Sequence, residues 1–564
     1  MHEVMKNKFL VTSALPYANG PLHLGHIAGA YLPADIYVRY RRLSGSNVLF
    51  ICGTDEHGVP VTIRAEQEGK NPQEIVDFYH SQMSASFLRL GIRFDNFSRT
   101  SLSLHHEIAQ SFFLRLLEQD AITTKTEDQL YCPSCSRFLP DRYIRGECPY
   151  CHNLGARGDQ CEACGKWLEP RQIIHPQCAL CGSAPVISST KHWYLRLGLF
   201  QDRLRQWLDS KPYWKDNVKE FCAGWFREGL GDRAITRDID WGVKVPLPDA
   251  EGKVLYVWFD APIGYVSSTV EWCRNQDAPD LWKEYWLNPE TQLIHFIGKD
   301  NIVFHAMVWP AMLMGQAGYI LPSDIPANEF LTIEGEKLST SRNWAIWVDE
   351  YLSDFSPDPL RYCLAANAPE NKDSDFSWKE FQNRNNGELA DILGNFINRT
   401  LSFIQKYQNN RTPAFHLTDE SDQQALQAIT DAVQNMGKAF ESFEVRRAVR
   451  ELMDLARCGN KYFADKQPWA TRKTDTQQCE TTLAVCLKMI TALAVLMEPI
   501  LPHTAASLRD QLSSEDTFRQ VNWQDIPKMQ IPSGHILGTP RILFQKIEDT
   551  TIQAQVEKLH AMRR

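Results

Sequence analysis

Several things are missing from this sequence, and each absence narrows its reading. The opening stretch, MHEVMKNKFLVTSALPYANG, has one short apolar run and no small-residue cleavage site behind it, so no secretory leader is expected. No apolar stretch suits a bilayer crossing. The best candidate, Leu483 to Leu501, carries Lys488 and closes on Pro499 and Pro502, which predicts a buried bundle helix instead. Low-complexity tracts are absent, as is any tandem repeat longer than a C-x-x-C unit, which excludes a repeat array. Basic charge is not in excess: 60 Lys+Arg stand against 69 Asp+Glu, a net charge of −9. Global attraction to nucleic acid is therefore not expected, although a local basic strip on an acidic protein still holds phosphates.

What is present is ordinary in bulk. Hydrophobic residues make up 43% and charged residues 23%, as in soluble globular proteins. The chain, at 564 residues, is too long for one core, so about three or four packed units are expected. Fifteen cysteines without a leader argue against a disulfide framework. Eight of them form four C-x-x-C pairs, which reads as metal binding in a reducing compartment, the cytoplasm by default.

Residues 8–14 (KFLVTSA) predict a short strand, then a Pro/Asn/Gly loop, then a helix from about Leu24 to Leu43, with Ile27, Tyr31, Ala34 and Val38 at helical spacing. A second strand, VLFIC at 48–52, ends in GTDEHG. Strand, helix, strand is the opening of a parallel α/β sheet. Two later apolar runs, VLYVWF at 254–259 and LIHFIG at 293–298, are expected to be buried strands of the same sheet. Ligands of open α/β sheets sit beyond the carboxyl ends of strands, so these ends are where chemistry is sought. The cysteine-rich stretch between the two halves reads as an insertion. From about residue 386 onward helical periodicity takes over, with Val445, Val449, Leu452 and Ala456 on one face, and Glu548 to Arg564 predicts a last amphipathic helix.

The cysteine pairs are CPSC (132–135), CPYC (148–151), CEAC (161–164) and CALC (178–181). Two such knuckles complete a closed tetrahedral zinc site, so eight thiolates imply two structural ions, paired sequentially or nested. Closed sites leave no position for chemistry. In PLHLGH, His23 and His26 have no further soft ligands nearby, which weakens a metal role for them. A second polar loop, GEKLSTSRN at 335–343, offers lysine, hydroxyl and arginine groups able to envelop a polyphosphate.

Taken together, ALPYANGPLHLGH and KLSTS resemble the HIGH and KMSKS signatures of class I aminoacyl-tRNA synthetases. FICGTDEHG, FLPDRYIRGECPYC with CEAC, VWFDAPIGY, HFIGKDN with FHAMVWPAML, and GEKLSTSRN resemble the methionine-specific branch, over roughly residues 8 to 550. The resemblance implies a Rossmann-type parallel-sheet catalytic domain with a zinc-knuckle insertion, followed by an all-α anticodon-binding bundle. Its expected parts are 1–115 and 249–325 (the catalytic halves), 116–248 (the connective insertion), 326–385 (the KLSTS loop and stem-contact region), 386–540 (the anticodon-binding domain) and 541–564 (the last helix).

The implied reaction activates methionine with Mg-ATP to an adenylate and transfers it to tRNA, and the implied residues follow motif by motif. His23 and His26 contact the ATP phosphates, and Lys337 and Thr340 belong to the loop that closes over them. Gly298 and Asp300 hold the adenosine part. Tyr17, Trp258, Tyr265 and His305 surround the methionine side chain, Ala14, Leu15, Ala261 and Pro262 line the walls, and Asp55 pairs the ammonium. A thioether suits such a polarizable, mostly aromatic cavity. Asn395, Arg399 and Trp469 read the anticodon.

By the family's pattern the inner cysteines Cys148, Cys151, Cys161 and Cys164 share one zinc. The outer set, Cys132, Cys135, Cys178 and Cys181, would hold a second. One departure stands out: Thr340 occupies the position of the family's second signature lysine, which leaves Lys337 and Arg342 to carry the loop's charge. A monomer without membrane contact is expected. The competing readings are another class I synthetase (for valine, leucine, isoleucine or cysteine), a non-enzymatic zinc-knuckle RNA-binding protein, and a small-molecule nucleotidyltransferase.

Overall fold

The computed structural model describes residues 7–563 apart from 141–142, 159–160, 162, 165–167, 169, 341, 417–418 and 520. At its centre is a parallel sheet of five strands: β1 (Lys8–Ser13), β2 (Asn47–Thr54), β3 (Asn96–Arg99), β4 (Gln292–Gly298) and β5 (Ala327–Asn328). Their order is β5-β4-β1-β2-β3, with Leu10 opposite both Leu293 and Leu49. β1 thus joins strands from two distant parts of the chain, and the order reverses beside it. That reversal is where an open α/β sheet binds its ligand.

Alternation along the strands explains the continuous apolar runs. Phe9, Val11, Phe50, Ile294 and Phe296 feed one core, and Leu10, Leu49, Ile51, Leu293 and Ile297 feed the other. A sheet covered on both faces needs apolar residues at every position.

VLYVWF departs from expectation. Only Val254–Leu255 is extended, and it pairs antiparallel with Thr236–Arg237 outside the central sheet. Val257–Asp260 then turns into a helix that leads into Gly264–Asn275. Pro262 in the following turn favours helix entry, and the aromatic residues are buried by tertiary packing, not by strand pairing.

The insertion holds a four-stranded antiparallel sheet, in which Ile122–Cys132 pairs along most of its length with Val186–Leu195, and a small three-stranded sheet around Ile144–Glu147. Beyond residue 377 helices are the regular elements among the described residues, with a non-helical stretch between Lys528 and Asp549. Thr476–Leu496 is long and apolar enough to cross a membrane by composition, but 83% of its apolar window is buried inside the protein, as expected of a bundle helix. Val445–Lys466 buries Val445, Val449, Leu452 and Ala456 as predicted. The last helix, Asp549–Met562, returns to the first part of the chain: Asn343 Nδ2 donates to Met562 O at 3.1 Å, and Arg563 pairs with Glu336 at 2.8 Å.

Three π-helical segments, Ile27–Tyr31, Phe304–Val308 and Arg384–Gly394, each adjoin or contain residues expected to be functional: His26, His305 and Asn395. Such segments widen the helix by a residue and recur at functional sites.

Candidate active site

The loop after β1 is tied to the end of β2 by paired backbone bonds, Asp55 N to Pro16 O and Ala18 N to Asp55 O, both 2.9 Å. It leads into a helix whose N-cap is His23. His23 Nδ1 accepts from His26 N at 3.3 Å, and His26 Nδ1 accepts from His23 N at 3.2 Å, so the two side chains close a reciprocal capping box. Their rings stack with centroids 3.5 Å apart. Because each ring accepts at Nδ1, each neutral imidazole carries its proton on Nε2. Burial, then the neighbouring His26, holds the His23 pKa well below its ordinary value, and burial lowers that of His26 to about 4. At neutral pH the pair offers two directed N–H donors without charge.

The GEKLSTSRN segment is a hairpin. Leu331–Ile333 pairs antiparallel with Glu336–Lys337, and Ser339 and Trp344 exchange backbone bonds of 3.0 and 2.9 Å. A Cβ on Gly25 would stand 3.2 Å from Leu338 Cδ1, so this hairpin lies directly on the histidine turn. Leu24 N bonds Ile346 O at 3.1 Å, and the Trp347 ring lies 6.0 Å from that of His23. Lys337, Thr340 and Arg342 are exposed, and neither cation makes an ion pair among the described residues. Ser341 lies outside the described residues.

β4 ends at Gly298, where a Cβ would meet Asp300 Oδ1 at 2.7 Å; only glycine lets that carboxylate fold back over the strand end. Asn328 on β5 donates to Ala28 O at 3.3 Å, joining this half to the histidine helix.

Next to the strand ends lies the aromatic cluster. Trp258 stacks face to face on Phe304 at 3.9 Å and meets Tyr17 edge-on at 6.2 Å. His305 Nδ1 donates to Asn301 O at 3.0 Å, which leaves Nε2 to accept the Tyr265 hydroxyl at 2.7 Å. Burial lowers the His305 pKa to about 4, so the ring is neutral. Ala14 and Pro262 are buried and Leu15 and Ala261 half-buried; Leu15 packs against Gly264, where a Cβ would be only 2.9 Å away. Asp55 is 3% exposed, its Oδ1 has no hydrogen-bond partner, and burial, reinforced by Asp260, raises its pKa well above the usual range. An unpartnered buried carboxylate oxygen is a strong acceptor for a cation.

The cysteines gather in two nested sets: Cys132, Cys135, Cys178 and Cys181, and Cys148, Cys151, Cys161 and Cys164. Sulfur–sulfur distances are 3.5 Å (Cys132–Cys181), 4.0 Å (Cys135–Cys178), 3.9 Å (Cys148–Cys164) and 3.6 Å (Cys151–Cys161). Four thiolates about 2.3 Å from one tetrahedral ion stand about 3.8 Å apart, so each set fits zinc. Backbone donation from Cys164 first of all holds the Cys161 thiol down to about 6, and the Ser183 hydroxyl does so for Cys181.

Far from the sheet, Asn395 is exposed at the start of Asn395–Tyr407, and Arg399 lies one turn on. The Arg399 guanidinium sits 4.2 Å over the Phe463 ring and donates to Asn460 O at 2.6 Å, while Trp469, 47% exposed, lies 6.1 Å from Phe463. Phe463 thus links two of the three expected residues.

Sequence reasoning overlooked Phe304, Trp347 and Phe463. Phe304 was within reach, since it precedes His305 in a quoted motif; the other two are revealed only by packing. A cavity of about 600 Å³ lies away from the strand ends, between the 357–394 helices and Val445–Lys466, and Arg384, Arg446, Arg447, Arg450 and Arg457 line it.

A histidine-capped helix after the first strand, faced by a basic hairpin across the switch point of a parallel sheet, is the arrangement that the resemblance to class I aminoacyl-tRNA synthetases implies. Sequence comparison agrees: the family described as tRNA synthetases class I (M) matches residues 9–401, and the anticodon binding domain of methionyl tRNA ligase matches residues 412–564. The chain belongs to the methionyl-tRNA synthetases. It is 52% identical to the methionine–tRNA ligase of Bacteroides fragilis (strain YCH46), covering 97% of this chain and 80% of that protein. It is 49% identical to that of Salinibacter ruber, covering 98% and 81%. A crystal structure of the Mycobacterium tuberculosis methionyl-tRNA synthetase bound by methionyl-adenylate superposes with a TM-score of 0.79 at 25% identity, over 95% of this chain and all of that one.

Proposed function

We propose that the reaction of this family, ATP-dependent attachment of methionine to its tRNA, is carried out here by the strand-end residues in the following roles. Asp55 pairs the methionine ammonium, and Trp258, Tyr17, Tyr265 and His305 enclose the thioether. Ala14, Leu15, Ala261 and Pro262 complete the walls. A methionine carboxylate oxygen attacks the α-phosphorus of Mg-ATP in line as the bond to pyrophosphate breaks. His23 and His26 donate from Nε2 to the phosphate oxygens that gain charge, which is the main contribution a protein makes to such a transfer. Gly298 and Asp300 hold the adenosine part. Lys337 and Arg342 bring cations onto the pyrophosphate, and Thr340 supplies only a hydroxyl.

In the second step the terminal adenosine hydroxyl of the tRNA attacks the carbonyl and AMP departs. Asn395, Arg399 and Trp469 receive the anticodon, with Trp469 as a stacking plane for an unstacked base. The arginine-lined groove supplies a local basic surface on an acidic chain. Both cysteine sets hold zinc in closed sites that shape the insertion and take no part in catalysis. The division at residues 115, 248, 325, 385 and 540 follows this assignment. The enzyme works as a cytoplasmic monomer.

One observation carries the reading: the stacked His23–His26 pair lies beneath the Leu338 hairpin at the carboxyl ends of β1 and β4. Amino-acid-dependent ATP–pyrophosphate exchange, run with each of the twenty amino acids, tests it. Exchange with methionine alone is expected. Exchange driven by valine, isoleucine, leucine or cysteine would assign another specificity, and none at all would refute the activity.

A further inference from the structure

Behind the pocket lies a buried polar cluster to which none of these steps assigns a role. Asp260 is fully buried, and its Oδ2 bonds His57 Nδ1 at 2.5 Å. No lysine or arginine pairs with it among the described residues, and its Oδ1 has no hydrogen-bond partner. His105 Nε2 stands 4.0 Å from the same Oδ2 and is likewise without a partner.

Proton bookkeeping fixes the state of His105. The Ser267 hydroxyl donates its one proton to Gly264 O at 3.2 Å, so it accepts from His105 Nδ1–H at 3.0 Å. Neutral His105 therefore presents a bare Nε2 lone pair towards Asp260. An ionised Asp260 would face that lone pair without a compensating cation, deep in the protein, where an unpaired charge is most costly.

A metal ion does not resolve this. Two ligands of one tetrahedral zinc stand about 3.3 Å apart, and His57 Nδ1 and Asp260 Oδ2 are much closer than that. The contact is a short hydrogen bond with a proton in it.

The cluster also sits at a joint. His57 is two residues beyond Asp55, and Asp260 immediately precedes Ala261 and Pro262. The His57–Asp260 bond thus fastens the segment expected to hold the methionine ammonium to the wall of the same pocket. Around it, Glu56 is neutralised by Arg99 at 2.8 Å, with His80 at 3.9 Å, and His106 lies 5.2 Å from His57, ring to ring. Asp55 and Asp260 are the two carboxylates of this cluster without a lysine or arginine partner among the described residues.

We propose that His57 and Asp260 are positioning residues that share one extra proton as a net-neutral pair, so that no fixed negative charge beside Asp55 opposes its ionisation as the methionine ammonium binds. The inference rests on the reading of Asp55 as the ammonium partner. Burial pushes the Asp260 pKa well up and the His57 pKa down to about 4, in keeping with a proton held on the carboxyl side.

The test is the methionine KM of the full-length enzyme against pH, read by pyrophosphate exchange, with the ATP KM and thermal unfolding as controls. In Asp260→Asn the neutral amide replaces a group that is already neutral. Methionine KM at neutral pH should stay within about threefold, and the acid limb of its pH profile should not move. His57→Gln leaves Asp260 protonated but breaks its bond to the Asp55 segment, and should raise methionine KM at least tenfold with kcat and ATP KM little changed. The double variant His57→Gln/Asp260→Asn should show the same loss as His57→Gln, because Asp260 carries no charge to remove; recovery in the double variant would overturn the proposal.

An acid limb displaced by a pH unit or more in Asp260→Asn would show that Asp260 is charged in the native enzyme and overturn the proposal. Equal losses in both single variants would do the same, as would a divalent ion beyond the two cysteine sites that disappears in His105→Ala. If His57→Gln fails to fold, the Asp260→Asn profile decides alone. Asp55→Asn separates the two levels: an unchanged methionine KM there refutes the ammonium assignment itself.

Discussion

Leu338 rests on Gly25. Its Cδ1 lies 3.2 Å from the place a Cβ on Gly25 would occupy, and His23 Nδ1 lies 3.1 Å from the same point. The two signature segments, separated by some three hundred residues of sequence, therefore meet at one hydrogen-sized gap. Gly25→Ala must push either the hairpin or the His23 ring. Loss of exchange kcat on the order of ten- to a hundredfold is expected, since small misplacements cost that much in a positioning mechanism. The melting temperature should change little, and an unaltered kcat would show that the hairpin yields freely.

The loop's charge is the second matter. With Thr340 in place of a lysine, Lys337 and Arg342 are the cations available on the hairpin. Removing one directed or charged group from a transition state costs about a hundred- to a thousandfold. Lys337→Ala and Arg342→Ala should each lower exchange within about that range. Thr340→Lys should lessen the effect of Arg342→Ala. Unchanged exchange in Arg342→Ala, beside abolished exchange in Lys337→Ala, would remove Arg342 from the mechanism.

Metal analysis of the purified protein should return two zinc ions per chain. Cys181→Ser should release one of them and leave methionine activation in place, because both thiolate sets are closed and distant in role from the reaction. A native content of one ion would eliminate the outer site.

Acid should destabilise the protein before most carboxylates titrate. Burial holds His26, His57, His106 and His305 at about 4, against 6.5 for the free side chain. Between those values the unfolded chain binds protons that the folded chain refuses. This stabilising contribution is complete above about pH 7 and is lost as pH falls through 6.5 towards 4. Thermal unfolding with zinc in excess should show a falling midpoint from pH 7.5 to pH 5. A flat or rising midpoint would mean that proton uptake by buried carboxylates such as Asp55 and Asp260, whose pKa values burial raises, outweighs these rings.

Arg361 and Asp35, both almost wholly buried, pair at 2.7 Å, and the guanidinium also donates to Ile500 O and Pro499 O, each at 2.9 Å. This pair fastens the histidine helix to the helical half of the chain. Asp35→Ala strands a buried guanidinium and should cost about 3–5 kcal/mol, measured by denaturant unfolding. Arg39, which also bonds Asp35, would lose a partner at 2.8 Å in the same variant.

Much of this architecture was legible in the residues. The runs at 8–13, 47–54 and 292–298 read as strands because a sheet covered on both faces needs apolar residues at successive positions. VLYVWF met the same criterion and failed, because an apolar run states that it is buried and not how. Its neighbours, Asp260 and Pro262, turn it into a helix whose burial comes from packing. The cysteine spacing announced two four-thiolate sites, but both pairings were open on spacing alone; the folding of the Ile144–Glu147 sheet selects the nested one.

The sequence by itself determined the chemistry on offer: paired histidines, a basic hydroxyl-rich loop, aromatic residues for a thioether and thiolates for metal. Only the tertiary structure decided how each group is used. Mutual capping assigns the protons of His23 and His26 to Nε2, the Asn301 carbonyl makes His305 an acceptor for Tyr265, and the Ser267 hydroxyl turns a bare His105 nitrogen towards Asp260. Which nitrogen holds a proton depends on partners distant along the chain, and that information exists only once the chain has folded.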